Sequence, residues 1–297
     1  MKIIILGGLG FIGRNLAETL CENNDVIVLD KNNDDSIKSS KCRYFNCDIS
    51  DTKSLQHLLD GVDVLYHLIS TTNPTTSAQN ITYDIDTNVL GTVNLLQAAV
   101  NQGAKKIIFA SSGGTVYGEP LYNPIDEKHP TNPVSSYGAG KLAVEKYIQV
   151  FHKTHGLDYC ILRFSNVYGR YQTSNTQGII NIFLRRILNH EPIEIWGDGT
   201  ATRDYIYVSD AVEALSKVAM KSHTNKLFNV GSNEGITVNE IIKTIEDITG
   251  IYANTIYKEK RSIDVHSNVL DCSLISEVYK FNPKVTLHQG IERILET

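Results

Sequence analysis

The sequence predicts an α/β protein built on a Rossmann-type, doubly wound parallel sheet, with a smaller C-terminal α/β substrate-binding unit. Three observations lead to this prediction. Apolar, β-branched runs of strand length alternate with segments of helical periodicity through the first half of the chain. The first run, residues 2–6, passes directly into a glycine-rich turn and a helix start. Polar side chains follow several predicted strand ends, where open α/β sheets form their ligand crevice.

Composition indicates a globular protein and gives no sign of a nucleic-acid or membrane partner. The 297 residues are 41% hydrophobic and 21% charged, which suffices for a full core. The net charge of −5 gives no electrostatic reason to expect nucleic acid or an anionic membrane as a partner. No apolar run approaches the ~20 residues of a membrane span, and a strand beginning at residue 2 leaves no room for a signal peptide. We therefore expect a cytoplasmic location.

The five cysteines are odd in number, scattered and without C-x-x-C spacing. This pattern predicts neither a disulfide framework nor a metal site, and reduced thiols are expected. The residues are Cys21, Cys42, Cys47, Cys160 and Cys272.

The opening glycine turn has the strand–turn–helix context of a dinucleotide-binding site. Gly7 permits a sharp turn, Gly10 leaves room for a pyrophosphate, and Gly13 lets the helix pack close to the strand. The phosphates would meet the free N–H groups of the helix start, beside Phe11 and Ile12. The alternative, that these glycines only tighten a turn, does not account for the context.

The second predicted strand, residues 26–29, ends in Asp30. An acid at this position accepts hydrogen bonds from the adenosine ribose and repels a 2′-phosphate. The sequence therefore predicts NAD rather than NADP as cofactor, although the neighbouring Lys31 slightly weakens that preference.

The following segments continue the alternation of strands and helices. The predicted order is a surface loop at 31–41, a strand at 43–46, a helix ending near 59, a buried strand at 62–68, a helix at 83–99 and a strand at 106–110. Asp48 is a candidate acceptor for the adenine amino group, with Ile49 covering the ring. Its competing role is a helix N-cap, which Ser50 or Asp51 suits better.

Further candidate ligand contacts lie where these strands end or on the inner face of the helix. They are Leu68 at the end of the strand at 62–68, Ile69, Ser70 and Thr72 after it, Asn88, whose amide is expected to face the interior, and Ser111 after the strand at 106–110.

Tyr137 and Lys141 lie four residues apart in a predicted long helix and so share one face. A phenol with a pKa of ~10 is a poor base, but an ammonium at ~4 Å in a semi-buried site can favour the phenolate by up to ~4 kcal/mol. We therefore expect Lys141 to lower the pKa of Tyr137. A tyrosine so tuned can take a hydroxyl proton while the carbinol hydride leaves for a nicotinamide. A tyrosine and a lysine at this spacing often occur by chance on solvated helices. Here they follow a glycine-rich turn of the dinucleotide-binding type, which favours the functional interpretation.

Together these motifs resemble the extended short-chain dehydrogenase/reductase family, within it the NAD-dependent nucleotide-sugar epimerase/dehydratase branch. The resemblance covers nearly the whole chain, including the segments at 111–118, 163–169 and 197–210. It implies tightly held NAD and a UDP-hexose or UDP-N-acetylhexosamine that is oxidised at C4, rotated and reduced on its other face. The net redox change would be zero, and the product would serve polysaccharide biosynthesis.

By this resemblance Tyr137 is the base, and Lys141 is its electrostatic partner and a ligand of the nicotinamide ribose. The family places a hydroxyl that bonds O4 of the sugar where this chain has Gly113. Ser112 or Thr115 would supply it instead, with Ser112 favoured.

Dehydratases of the branch carry an Asp-Glu pair just after that hydroxyl. This chain has Gly114 and Thr115, which disfavours elimination.

The resemblance also assigns the nucleotide-sugar contacts. Asn166 matches an amide that contacts the diphosphate, although turn chemistry alone would allow it to cap a turn. Arg203 and Arg261 match two diphosphate-binding positions, where bidentate geometry favours arginine, and Asp264 would bind the nucleotide ribose. Asn268 falls where the branch sets the width of the sugar pocket, and its medium size predicts that N-acetyl sugars are accepted.

We assign residues 1–165 to NAD binding and 166–297 mainly to nucleotide-sugar binding, with some later segments returning to the first unit. The helices that start near 83 and 136 imply a homodimer by resemblance. Two alternatives stay open. One is an oxidoreductase on the same scaffold, such as a 4-ketosugar reductase, and the other is a catalytically silent NAD-binding regulator.

Overall fold

A computed structural model describes residues 1–33, 41–220, 225–259 and 265–296. Its central feature is a parallel sheet of seven strands, which confirms the predicted fold class. In spatial order the strands are β10 (Lys226–Val230), β6 (Asp158–Phe164), β5 (Lys106–Ser112), β4 (Val64–His67), β1 (Lys2–Leu6), β2 (Asp25–Asp30) and β3 (Arg43–Asn46).

Helices cover both faces of this sheet. In β1, Ile3 and Ile5 pack in one core, whereas Ile4 and Leu6 pack in the other, because successive side chains of a strand point to opposite faces. The helices of the first half are α1 (Phe11–Leu20), α2 (Thr52–Leu59), α3 (Pro74–Gln79), α4 (Ile81–Asp84), α5 (Gly91–Asn101), α6 (Gly113–Val116) and α7 (Ser136–His155). The later helices are α8 (Ile179–Leu188), α9 (Val208–Met220), α10 (Val238–Thr249), α11 (Ser273–Tyr279) and α12 (Leu287–Leu295).

Smaller sheets lie beyond the carboxyl end of the large one. Strand β9 (Thr202–Tyr207) pairs with β7 (Asn166–Tyr168), β11 (Gly235–Thr237) and β13 (Ser267–Asn268). A separate parallel pair joins β8 (Ile193–Trp196) to β12 (Thr255–Lys258). All of these strands follow residue 165, while β10 from the same half completes the large sheet.

The helix predicted at 83–99 is longer and less regular than its periodicity indicated. It runs from α4 through a π-helical segment, Ile85–Leu90, into α5. The polar stretch before it contains a short helix, α3, that apolar periodicity did not indicate. Asn73 caps α3 by accepting from the N–H groups of Thr75 and Thr76, and Pro74 occupies its first position.

The cysteine prediction is wrong for one pair. Cys21 and Cys42 form a disulfide, with Cα atoms 5.5 Å apart, whereas Cys47, Cys160 and Cys272 are free and buried. The pair joins the end of α1 to the segment before β3, and its 21-residue separation matches no local motif. In the described ranges, no helix combines the length and apolar character needed to cross a membrane.

Substitution of Gly13 by alanine is expected to destabilise the protein strongly. A Cβ there would lie 2.2 Å from the Gly7 carbonyl oxygen and 2.6 Å from the Gly8 Cα. Since these are main-chain atoms, we expect a loss of about 3 kcal/mol or more in urea unfolding. Gly103→Ala is the control, because it has φ +68° but no atom within 4 Å, and it should cost only about 1–2 kcal/mol. Equal losses in the two variants would contradict close packing of α1 on the turn.

Candidate active site

A cavity of about 840 Å³ separates the carboxyl end of the large sheet from the smaller sheets. It brings together most of the residues that the sequence singled out. Those lining it are Gly7, Gly10, Phe11, Ile12, Gly13, Leu68, Ser70, Ser111, Ser112, Thr115, Tyr137, Lys141, Asn166 and Arg203.

The glycine turn forms a main-chain cradle at one end of this cavity. Gly7 has φ +75° and donates its N–H to the Leu29 carbonyl, so the chain turns sharply off β1. Gly10 occupies the N-cap position of α1 and has no side chain to cap it, which leaves the first N–H groups of the helix available to an anion. This cradle fits the diphosphate of a dinucleotide.

Asp30 lies at the end of β2, close to the cradle. It is 8% exposed, and its two oxygens accept hydrogen bonds from the N–H groups of Leu9 (3.1 Å) and Asn32 (3.0 Å). These bonds hold the carboxylate in place, and its remaining lone pairs can accept ribose hydroxyls. Lys31, beside it, is exposed.

The predicted adenine contacts lie farther along the same edge, outside the lining of the cavity. Asp48 accepts from the N–H and hydroxyl of Ser50, both at 2.9 Å, and these bonds lower the pKa of its carboxyl. Asp51, rather than Asp48, caps α2. Ile49 is buried and packs closely against Gly91 of α5.

The start of α7 carries Tyr137 and Lys141 into the cavity wall. Ser135 caps the helix through the Gly138 N–H (3.1 Å), and the Tyr137 N–H donates to Ser77 Oγ (3.2 Å) on α3. Lys141 is 9% exposed. Its Nζ donates to the Ala110 carbonyl at 3.1 Å and lies 5.7 Å from the centroid of the Tyr137 ring.

The protonation of this pair differs from the sequence-based expectation. Burial raises the pKa of Tyr137, and a hydrogen bond with Ser70 opposes that rise without cancelling it. Burial also lowers the pKa of Lys141 to about 8. The expected lowering of the tyrosine pKa is therefore not found in the protein alone, because desolvation outweighs the hydrogen bond with Ser70 and the nearby Asp84 adds to the rise.

A buried ion pair supports the end of β5 from behind. Glu145 is fully buried and accepts from Arg163 Nε (2.9 Å) and Nη2 (2.6 Å) and from Ser111 Oγ (2.5 Å). The Arg163 guanidinium also lies 4.7 Å from the centroid of the Tyr117 ring. The hydroxyl of Ser111 thus faces α7.

Thr72 and Asn88 lie in the wall behind Tyr137, outside the lining of the large cavity. The hydroxyl of Thr72 and the amide of Asn88 (2.9 Å) both donate to Asp84 Oδ1. Asn88 Oδ1 also accepts the Thr71 N–H at 3.0 Å. These side chains order the wall around a buried carboxylate. Ile69, from the same stretch, packs against Gly7.

Gly113 faces away from the cavity. A Cβ at this position would lie 2.7 Å from Leu270 Cδ1, inside the protein. Its neighbours Ser112 and Thr115 line the cavity and leave two hydroxyls there.

The opposite wall contains the remaining described candidates. Arg203 Nη1 donates to the Thr202 carbonyl at 2.9 Å, and Asn166 Nδ2 donates to the Asp204 carbonyl at 2.9 Å. Asn268 is 2% exposed, does not line the cavity, and has Nδ2 3.4 Å from the Gly113 carbonyl oxygen. Arg261 and Asp264 lie outside the described residues.

Sequence reasoning missed three buried polar residues near the site: Ser77, Asp84 and Glu145. Asp84 and Asn88 are four residues apart, as are Lys141 and Glu145, so helical spacing would have placed each acid on a functional face. Ser77 lies in the short helix that carries no periodic signal.

Comparisons with known proteins agree with this geometry. The NAD dependent epimerase/dehydratase family matches residues 3–231. A putative UDP-glucose 4-epimerase from Methanocaldococcus jannaschii is 39% identical, over 99% of this chain and 97% of its own. The dTDP-4-dehydro-6-deoxyglucose reductase of Escherichia coli is 33% identical, over 99% and 96%. The crystal structure of a Thermotoga maritima UDP-glucose 4-epimerase with UDP-glucose matches with a TM-score of 0.95 and 34% identity, over 100% and 98%.

Substitution of Arg163 by methionine is expected to cost about 3–5 kcal/mol of stability, because it leaves Glu145 as a buried, unpaired charge. Arg43→Met is the control. Its partner Asp25 is 2.5 Å away, but both side chains are more than half exposed, so the expected loss is at most about 1 kcal/mol. Urea unfolding of the two variants measures the difference. Similar losses of stability in the two variants would mean that burial of Glu145 does not add to the cost of removing its partner.

Proposed function

The chain belongs to the NAD-dependent epimerase/dehydratase family, and from this we propose that it is an NAD-dependent epimerase that inverts C4 of a UDP-hexose or UDP-N-acetylhexosamine through a 4-keto intermediate. The observation that carries the proposal is the shared cavity. Its lining joins the glycine cradle, the pair Tyr137 and Lys141, and the cation Arg203 across the cleft.

The cofactor fits the residues present. The main-chain cradle at Gly7–Gly13 would hold the diphosphate, Asp30 the adenosine ribose, and Lys141 the nicotinamide ribose. When bound, NAD supplies the site that accepts a hydride from C4 and returns it.

The protein's own groups move the proton. We propose that Tyr137 takes the proton of the C4 hydroxyl and later gives it back, while Lys141 stabilises the phenolate. Ser112 or Thr115 would donate a hydrogen bond to O4. Because Gly114 carries no side chain and its neighbour Thr115 is not an acid, the wall offers no carboxylate for elimination at this point.

The nucleotide end would be bound by the smaller sheets. We propose that Arg203 and Arg261 bind the diphosphate, with Asn166 beside it and Asp264 on the uridine ribose. This divides the chain into a cofactor unit within 1–165 and a substrate unit mainly within 166–297. Asn268 would act on pocket width through the carbonyl of Gly113, which it contacts.

Proton NMR of the protein with UDP-glucose, and separately UDP-N-acetylglucosamine, tests the reaction directly. With only catalytic NAD, the galacto-configured anomeric signal should appear for at least one substrate. Tyr137→Phe should lower the rate about 10³-fold by removing the proton acceptor. The exposed Tyr252→Phe is the matched control and should keep full activity.

Unchanged substrates would contradict the epimerase proposal. The reductase relative motivates the second candidate, a 4-ketosugar reductase. It would be supported instead by stoichiometric consumption of NADH or NADPH with a ketosugar.

We further propose a homodimer that buries α7 and the helical segment 81–101 against a second copy. These neighbouring helices expose large apolar side chains, namely Ile81, Tyr83, Ile85, Leu90, Tyr147 and Val150.

Charge on this face should separate the subunits. The double variant Ile85→Glu/Val150→Glu is expected to give a mass near 33.1 kDa by light scattering, and the unchanged protein about twice that. Tyr252→Glu, on another surface, should leave the mass unchanged. A monomeric unchanged protein would rule out the dimer.

A further inference from the structure

Lys141 is buried, and no residue in the described part of the chain forms a direct ion pair with it. Its Nζ donates to the Ala110 carbonyl and lies 4.9 Å from the centroid of the Phe109 ring. Neither group carries a charge, so the ammonium depends on more distant groups to remain protonated.

Four titratable groups face Lys141 from the surrounding elements. Glu145 and Tyr137 belong to its own helix α7, His67 to β4, and Asp84 to α4. Burial, followed by the charge of Lys141, lowers the pKa of His67 to about 3, so this histidine is neutral under working conditions. A neutral imidazole neither supports nor repels the ammonium.

The carboxylates of Glu145 and Asp84 differ in whether a positively charged side chain pairs with them directly. Glu145 forms a bidentate pair with Arg163. Asp84 is 2% exposed, and the two groups that donate hydrogen bonds to it, the Thr72 hydroxyl and the Asn88 amide, are both uncharged. The negative charge of Asp84 therefore remains available to Lys141.

The packing of α7 brings this carboxylate close. A Cβ on Gly140, the residue before Lys141, would lie 3.3 Å from Asp84 Oδ2. A glycine at this position thus lets the helix approach Asp84 closely. Asp84, Tyr137 and Lys141 line one small internal cavity behind the main one.

We propose that Asp84 is a positioning residue whose buried carboxylate keeps Lys141 in its ammonium form, as the proposed epimerase reaction requires. It acts through Lys141 and does not touch the substrate. Its bonds to Thr72 and Asn88 fix the carboxylate behind the helix. The pH range of the reaction then depends on a residue outside the cavity that holds the cofactor and sugar.

The sign of the expected effect follows from the charges. Burial lowers the pKa of Lys141 to about 8, while Asp84 first and Glu145 second oppose that lowering. Removing the charge of Asp84 lowers the pKa of Lys141 further. Asp84 also raises the pKa of Tyr137, so its removal lowers the pKa values of both groups. The kcat profile as a whole should therefore move to lower pH.

The test compares Asp84→Asn with Asp86→Asn in the NAD-loaded protein. Both variants remove one negative charge from the same helical stretch, but Asp86 is exposed. An asparagine at 84 keeps an oxygen for Thr72 and Asn88. In protein labelled with ¹³C-lysine, with the Lys141 signal assigned by its loss in Lys141→Gln, the titration midpoint should fall by about one pH unit in Asp84→Asn. It should not move in Asp86→Asn.

An unchanged Lys141 midpoint in Asp84→Asn, with kcat lowered equally at every pH, would reduce Asp84 to a packing role and overturn the proposal. Because the NMR titration needs no turnover, it decides the role of Asp84 even if the wild-type protein does not epimerise UDP-sugars. A variant that fails to fold is replaced by the wild type labelled with ¹³C-aspartate. There an Asp84 carboxyl that stays protonated from pH 6 to 9 would also overturn the proposal.

Discussion

Keeping an ammonium charged inside the protein is the constraint on which the site depends. Lys141 lies near Tyr137 and below the end of β5, and only 9% of it is exposed to water. Burial alone favours its neutral form. The surrounding carboxylates, Asp84 and Glu145, oppose that preference. Hydrogen bonds from neighbouring side chains hold both acids in place.

Close main-chain approach shapes the same region. Gly13 brings α1 against the turn that would hold a diphosphate, Gly140 brings α7 against Asp84, and Gly113 lets Leu270 pack behind the strand end. In each case a side chain would occupy space that another element now fills. Gly113 thus allows the two halves of the chain to pack closely, since Leu270 fills the space that a side chain would need. Its neighbours Ser112 and Thr115 supply the hydroxyls on the cavity side.

Local spacing was enough to predict the fold class and much of the cavity. The glycine turn and the four-residue step from Tyr137 to Lys141 each act within one element, so the sequence contains them directly. The raised pKa of Tyr137 in the protein alone was not predictable, because it depends on burial by distant segments. The close approach of α7 to Asp84 and the Cys21–Cys42 disulfide likewise arise only when separate elements pack together. Asn268 occupied the expected position in sequence, but its side chain lies behind Gly113.

Retention of hydrogen at C4 tests the central claim most directly, since an epimerase of this kind must return to each sugar the hydrogen that it removed. UDP-[4-²H]glucose would be incubated with the NAD-loaded protein in ordinary water and the products analysed by NMR and mass spectrometry. The expected result is UDP-galactose that keeps deuterium at C4, with no net formation of NADH. Product that has lost the label to solvent, or a ketosugar that accumulates together with NADH, would contradict it.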